Sequence, residues 1–175
     1  MEITKIKIGK EIPNQINVII EIAKGLRNKY ELDKDSGSMF LDRVLHTSMV
    51  YPADYGFTPH TLCDDGDPLD VLVLVTHHTF PGCVINVRPI GVLKMSDENG
   101  MDDKILAVAV KDPNYEGVTE LEQIPEGLRN EIGHFFEQYK ELEKGKFSTI
   151  EGWYGSEEAK KIVLESIELY KKENK

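Results

Sequence analysis

The apolar positions of this chain change period part-way along. The first two-thirds breaks into short runs: NVIIEI (17–22), KYELD (29–33), GSMFLDRVL (37–45), VLVLV (71–75), CVINVRPIGVLKMSD (83–97) and KILAVAV (104–110). Runs of this length, alternating or continuously apolar, predict strands, because successive side chains of a strand point to opposite faces. VLVLV has no polar position and predicts a strand buried on both faces. Pro89 cannot donate to a ladder and marks an edge or a break in the longest run. Gly37, Pro52, Gly56, Pro81 and Gly82 punctuate the segments, and AKGLRN separates the first two.

Beyond residue 123 the period becomes helical. IPEGLRNEIGHFFEQYKELEKG (124–145) spaces Leu128, Ile132, Phe135, Phe136, Tyr139 and Leu142 along one helical face. KGKFSTIEGWYG (144–155) reads as a strand or loop return. SEEAKKIVLESIELYKKENK (156–175) reads as a second helix, with Ser156 as N-cap, acidic residues in its first turn and lysines at its end. Closely spaced strands followed by two helices predict a mainly β, small closed or nearly closed barrel with helices packed outside. At 175 residues, one domain over 1–175 is the simplest organisation.

Composition narrows the classes. The chain is 40% hydrophobic and 30% charged, as expected of a globular protein. No apolar run approaches the roughly 20 residues that span a bilayer. The N-terminal MEITKIKIGKEIP has neither a continuous apolar core nor a small-residue cleavage pattern, so no signal peptide is expected. Cys63 and Cys83 form no metal-binding spacing and are expected as reduced thiols in a cytoplasm. A net charge of −10 argues against a general nucleic-acid binder. It leaves room for a phosphate-bearing small molecule if a divalent metal mediates.

The charge is unevenly placed. DDGDPLD (64–70) sets four aspartates directly before a buried strand. Two carboxylates about 4 Å apart repel by roughly 4 kcal/mol at an effective dielectric of 20. Either this is a solvated acidic turn or a cation holds it together. In an extended backbone Asp65 and Asp67, two apart, point to one side. A second knot, SDENGMDDK (96–104), holds Asp97, Glu98, Asp102, Asp103 and Lys104. Hard divalent cations suit such oxygen clusters, but an EF-hand does not fit: the sixth position counted from Asp65 is Asp70, not Gly, and the twelfth is Thr76, not Glu. Upstream, Lys29, Glu31 and Arg43 lie on neighbouring predicted strands. YPADYGF adds Tyr51 and Tyr55. Taken singly, Lys29 is a surface lysine, Arg43 an ion-pair partner, Tyr139 a packing residue and Lys140 a solvated helix residue. The five histidines show no ligand spacing.

Taken together, these segments resemble a known family. DDGDPLDVLVL is similar to the signature of soluble family I inorganic pyrophosphatases, Asp-x-Asp-Pro-x-Asp before a hydrophobic strand. KYELDKDSGSMFLDR, YPADYGFTPHTL, PGCVINVRPIGVLKMSDENGMDDKILAV, HFFEQYKELEKGK and EGWYG follow in family order from residue 17 to 155. EIAKG (21–25) departs from the family's usual Glu-Ile-Pro. The resemblance implies a five-stranded OB-like β-barrel with helices outside, and hydrolysis of pyrophosphate to two phosphates by metal-activated water. It implies several Mg2+ ions held by Asp65, Asp70, Asp97 and Asp102, with Glu21 and Glu31 on outer metals. It implies Asp67 as general base or positioner of the attacking water. Lys29, Arg43, Tyr55, Lys104, Tyr139 and Lys140 would contact phosphate oxygens. It also implies a cytoplasmic homo-oligomer, commonly a hexamer. Two other readings of the residues remain at this point: another magnesium-dependent phosphohydrolase, acting on nucleotides, and a non-enzymatic barrel whose acidic loops hold calcium.

Overall fold

A computed structural model describes residues 5–174. All six expected strands are present: β1 (Ile16–Ile22), β2 (Asn28–Leu32), β3 (Met39–Val44), β5 (Asp70–Leu74), β6 (Val84–Asp97) and β8 (Lys104–Ala109). The return before the last helix is β9 (Ser148–Gly155). Two strands were not anticipated: β4 (Asp54–Phe57) and the two-residue β7 (Gly100–Met101). The helices are α1 (Glu126–Gln138) and α2 (Ser156–Glu173).

Five strands form a ring. β1 pairs with β4, β4 with β5, β5 with β8 and β8 with β6. β6 then returns to β1, from Ile16 opposite Val87 to Ile19 opposite Val84. Among the described residues only β5 and β8 run parallel. β9 and β7 extend the sheet from β6, while β2 and β3 form a separate two-stranded sheet. This is the five-strand, helix-flanked architecture expected.

Both faces of the ring strands are buried. Along β5, Leu72 and Leu74 face the core layer that contains Ile132, Phe135 and Phe136 of α1. Val71 and Val73 face the layer that contains Ala159 and Val163 of α2. That two-sided burial is why VLVLV carries no polar position. Pro89 sits in the middle of β6 rather than at an edge, and the register with β8 shifts between it and Gly91. Such a bulge is how an internal strand accommodates proline. Gly56 allows β4 to press against β1: a Cβ there would lie 2.0 Å from the Ile19 carbonyl oxygen.

Two helix boundaries differ from expectation. Gly155 is the N-cap of α2, and Ser156 is its first residue. The Ser156 hydroxyl donates to Glu120 at 2.7 Å instead of capping. α1 stops at Gln138, so Leu142 leaves the apolar stripe and is 64% exposed. The chain then turns back through residues 139–145, which brings Tyr139 and Lys140 inward.

Candidate active site

The parallel pairing of β5 with β8 sets the site. It puts the first residues of both strands, Asp70 and Lys104, in register at one end of the ring. Asp102 precedes β8, and Asp97 ends β6. Glu21 lies near the end of β1, and Tyr55 is on β4 opposite Ile22. The β2–β3 hairpin adds Lys29 and Arg43 as cross-strand partners, with Glu31 two residues further on. All thirteen residues nominated from the sequence line one cavity of about 420 Å³. Lys34, Asp42, Glu98 and Lys146 line it as well, outside the set that the resemblance implies.

The aspartate-rich stretch is a tight turn, not the extended segment expected. Gly66 has φ +89°, which a side chain rarely tolerates. The Gly66 N–H donates to the Cys63 carbonyl at 3.0 Å, and Cys63 N–H to the Asp67 carbonyl at 2.8 Å. Asp65 Oδ1 accepts from the Asp67 N–H at 3.0 Å, an Asx turn. Asp65 and Asp67 therefore reach the same cavity by a turn rather than by strand alternation. Thr61 closes the loop: it accepts from the Leu69 N–H at 2.9 Å and donates to the Thr58 carbonyl at 2.6 Å.

Cations interleave with the carboxylates. Lys104, only 2% exposed, donates to Asp70 Oδ2 at 2.5 Å and also to Asp102. Tyr55 donates to the same Asp70 oxygen at 2.5 Å. Lys140 is buried, not solvated, and pairs with Asp97 at 2.6 Å and Glu98 at 3.6 Å. Lys29 pairs with Glu31 and, at 3.5 Å, with Asp42. Lys34 stands 3.7 Å from Asp67. Among the described residues no three His, Cys, Asp or Glu side chains converge on a single point.

The electrostatics report crowding. Burial pushes Glu21 up to about 8, opposed by the Leu32 N–H it accepts and reinforced by Asp70. Burial pushes Asp102 up to about 6, with Lys104 opposing and Asp70 adding. Asp65 is raised by burial. At Asp97 burial is outweighed by the Lys140 hydrogen bond, the Asn99 N–H and the charges of Lys140 and Lys104 acting together, and the carboxyl lies below its ordinary value. Burial would lower Lys104, but Asp70 and Asp102 hold its proton more tightly than water does. Burial raises the Tyr55 and Tyr139 phenols well above their ordinary value, so both are donors at neutral pH. The donor set available to a metal is all oxygen, from clustered carboxylates of which several resist ionisation. A hard divalent cation relieves that crowding, so the residues fit such an ion. Cys63 and Cys83 are free and lie outside the cavity lining.

A family model described as inorganic pyrophosphatase matches residues 18–171. An inorganic pyrophosphatase of Mesorhizobium japonicum is 54% identical over 175 residues, covering 98% of this chain and 99% of the relative. One from Leifsonia xyli is 61% identical over 147 residues, covering 84% and 90%. The crystal structure of inorganic pyrophosphatase from Thermus thermophilus superposes with a TM-score of 0.95 at 43% identity, covering 98% of this chain and 99% of that one.

Proposed function

The chain belongs to the inorganic pyrophosphatase family, and on that footing we propose that its acidic cleft hydrolyses pyrophosphate to two phosphates with magnesium ions as cofactor. The observation that carries this reading is the convergence of carboxylates, ammonium groups, a guanidinium and two phenols on one cavity. Pyrophosphate is a multiply charged anion, which neither an all-acidic nor an all-apolar pocket would accept.

The family is metal-dependent. A divalent cation, when bound, neutralises phosphate charge and acidifies water. Asp65, Asp70, Asp97 and Asp102 would hold such ions, with Glu21 and Glu31 further out. Asp67 has the role of general base: its carboxylate is 76% exposed on the turn and open to accept a proton from the attacking water. Lys29, Arg43, Lys104 and Lys140 take phosphate oxygens, Arg43 being able to do so bidentately. Tyr139 donates from its protonated phenol. Tyr55 has a single hydroxyl proton, which in the free cleft it gives to Asp70 and so keeps that carboxylate oriented; with substrate bound it would turn that proton to a phosphate oxygen.

Among the described residues no helix is long and apolar enough to cross a membrane. We place the enzyme in the cytoplasm, working as one pyrophosphatase domain, with pyrophosphate rather than a nucleic acid or membrane as its partner. It assembles as a homo-oligomer, a hexamer by family resemblance; exposed Phe40, Leu41 and Phe80 offer apolar surface for this. Phosphate release with magnesium should be fast on pyrophosphate and slow on ATP and tripolyphosphate. Preference for ATP would replace this reading with a nucleotide hydrolase. Absence of release from all three would leave a metal-binding module.

A further inference from the structure

Glu143 has no part in the chemistry above, yet its side chain is only 5% exposed. It lies on the turn after α1, close to Tyr139 and Lys140. Its Oε1 accepts from Arg43 Nε at 3.0 Å, joining positions a hundred residues apart. Its Oε2 lies 3.2 Å from Lys146. Arg43 Nη1 in turn donates to Asp42 at 2.6 Å. Two carboxylates from different segments thus fix the guanidinium plane at two points. Among the described residues Nη2 has no partner. Arg43 is also the cross-strand neighbour of Lys29, so two cations stand side by side on the hairpin. Asp42 lies between them, 3.5 Å from Lys29 and 2.6 Å from Arg43 Nη1, with Glu143 on the far side of Arg43.

We propose that Glu143 is a positioning residue that aims Arg43, so that the Nη2 end of the guanidinium is presented to a phosphate group before substrate arrives. It does so by tying the β2–β3 hairpin to the turn that carries Tyr139 and Lys140. An unheld arginine must lose its rotamer freedom on binding, whereas one already held does not. The i,i+3 pair with the half-exposed Lys146 does not by itself account for the buried carboxylate, since such pairs contribute little. Glu143 is held below the ordinary glutamate range despite burial, through Lys146 and Arg43, so it is charged when Arg43 needs it. The inference rests on the reading of Arg43 as a phosphate ligand.

A double-mutant cycle separates the two. Glu143→Gln in the full-length enzyme should lower kcat/KM for pyrophosphate roughly tenfold, the worth of one charge-assisted hydrogen bond. The loss should appear in KM with kcat nearly kept, because substrate binding is what is impaired. A merely structural loss would reduce the active fraction, lowering kcat and leaving KM alone. Arg43→Lys should give a similar loss, and adding Glu143→Gln to it should change kcat/KM by less than about twofold, as expected of coupled residues. Multiplicative losses, or a parental KM in Glu143→Gln, overturn the inference while leaving Arg43 in the site. Parental kinetics in Arg43→Lys removes the reading of Arg43 itself, and the inference with it. Should Glu143→Gln fail to fold, Glu143→Asp carries the same test. It keeps the charge but shortens the reach to Nε, so a raised KM supports the inference and an unchanged one ends it.

Discussion

Replacing Lys104 by methionine keeps most of the length of the side chain and deletes its charge. In the parent, Lys104 touches Asp70 Oδ2 and Asp102 Oδ1 at once. Those two oxygens therefore lie within about 5 Å of each other, where unit charges repel by roughly 3 kcal/mol at an effective dielectric of 20. Removing one member of a buried ion pair costs about 3–5 kcal/mol, because the remaining charge is stranded. Urea unfolding of metal-free Lys104→Met near neutral pH should show a loss of about this size. The loss should also depend on pH, with a determinate sign. Asp102 in the folded parent already titrates at about 6 against an ordinary 3.8, burial being the main cause and Lys104 the main opposition. Without Lys104 its folded-state pKa climbs further. A carboxyl with a raised folded-state pKa is protonated in both states below its unfolded value, so it costs nothing there. Its cost accumulates as pH rises toward the folded-state value. The deficit against the parent should therefore be larger at about pH 8 than at about pH 5. Millimolar magnesium should recover part of the stability by supplying countercharge, without restoring turnover. A deficit below about 1 kcal/mol, or one flat with pH, would refute the assignment of Lys104 as the countercharge of this pair.

Three further outcomes are expected. Asp67→Asn should keep its melting temperature, since the side chain is exposed, yet lose about 10²–10⁴ in kcat, the usual worth of a general base. Near-parental turnover across neutral pH would remove that role. In EDTA the melting temperature should fall as pH rises from 4.5 to 8, the ordinary and folded-state values of Glu21: below the first both states are protonated, and stability is lost on the way to the second. Saturating magnesium should flatten that decline and, at about 100 times its dissociation constant, add about 2.7 kcal/mol; an identical curve with and without metal would count against a clustered site. Calcium should bind and inhibit, because its ligands sit at about 2.3–2.6 Å against 2.0–2.1 Å for magnesium and shift the reacting oxygens. Equal turnover with calcium alone, in a titration against the magnesium-supported assay, would show that metal geometry does not aim the water.

Much of the molecule was legible from periodicity because the ring strands bury one or both faces, which leaves an apolar imprint in sequence. β4 left none: four residues, one of them Gly56, give no period to count, and its close approach to β1 is visible only once both strands are placed. The burial of Lys140 and Glu143 was hidden because it depends on α1 ending at Gln138 and the chain folding back. The Asp65–Asp67 turn was hidden for the opposite reason, since i,i+2 spacing serves a strand and an Asx turn equally. That all thirteen nominated side chains share one cavity was carried by motif resemblance, not by pattern. No local rule brings Glu21, Asp70 and Lys140 together.

The joining of β6 back to β1 bears on how activity is first acquired. Residues 16–19 must find residues 84–87 across a long loop, and the entropy of that closure is lost before the contacts repay it. Helices and the β2–β3 hairpin need no such closure and can form earlier. A refolding chain should then regain far-UV signal ahead of turnover, because the cleft exists only after the ring has shut. On the ribosome the same order would keep every nascent chain inert at least until Lys140 has emerged, late in the chain and after every ring strand.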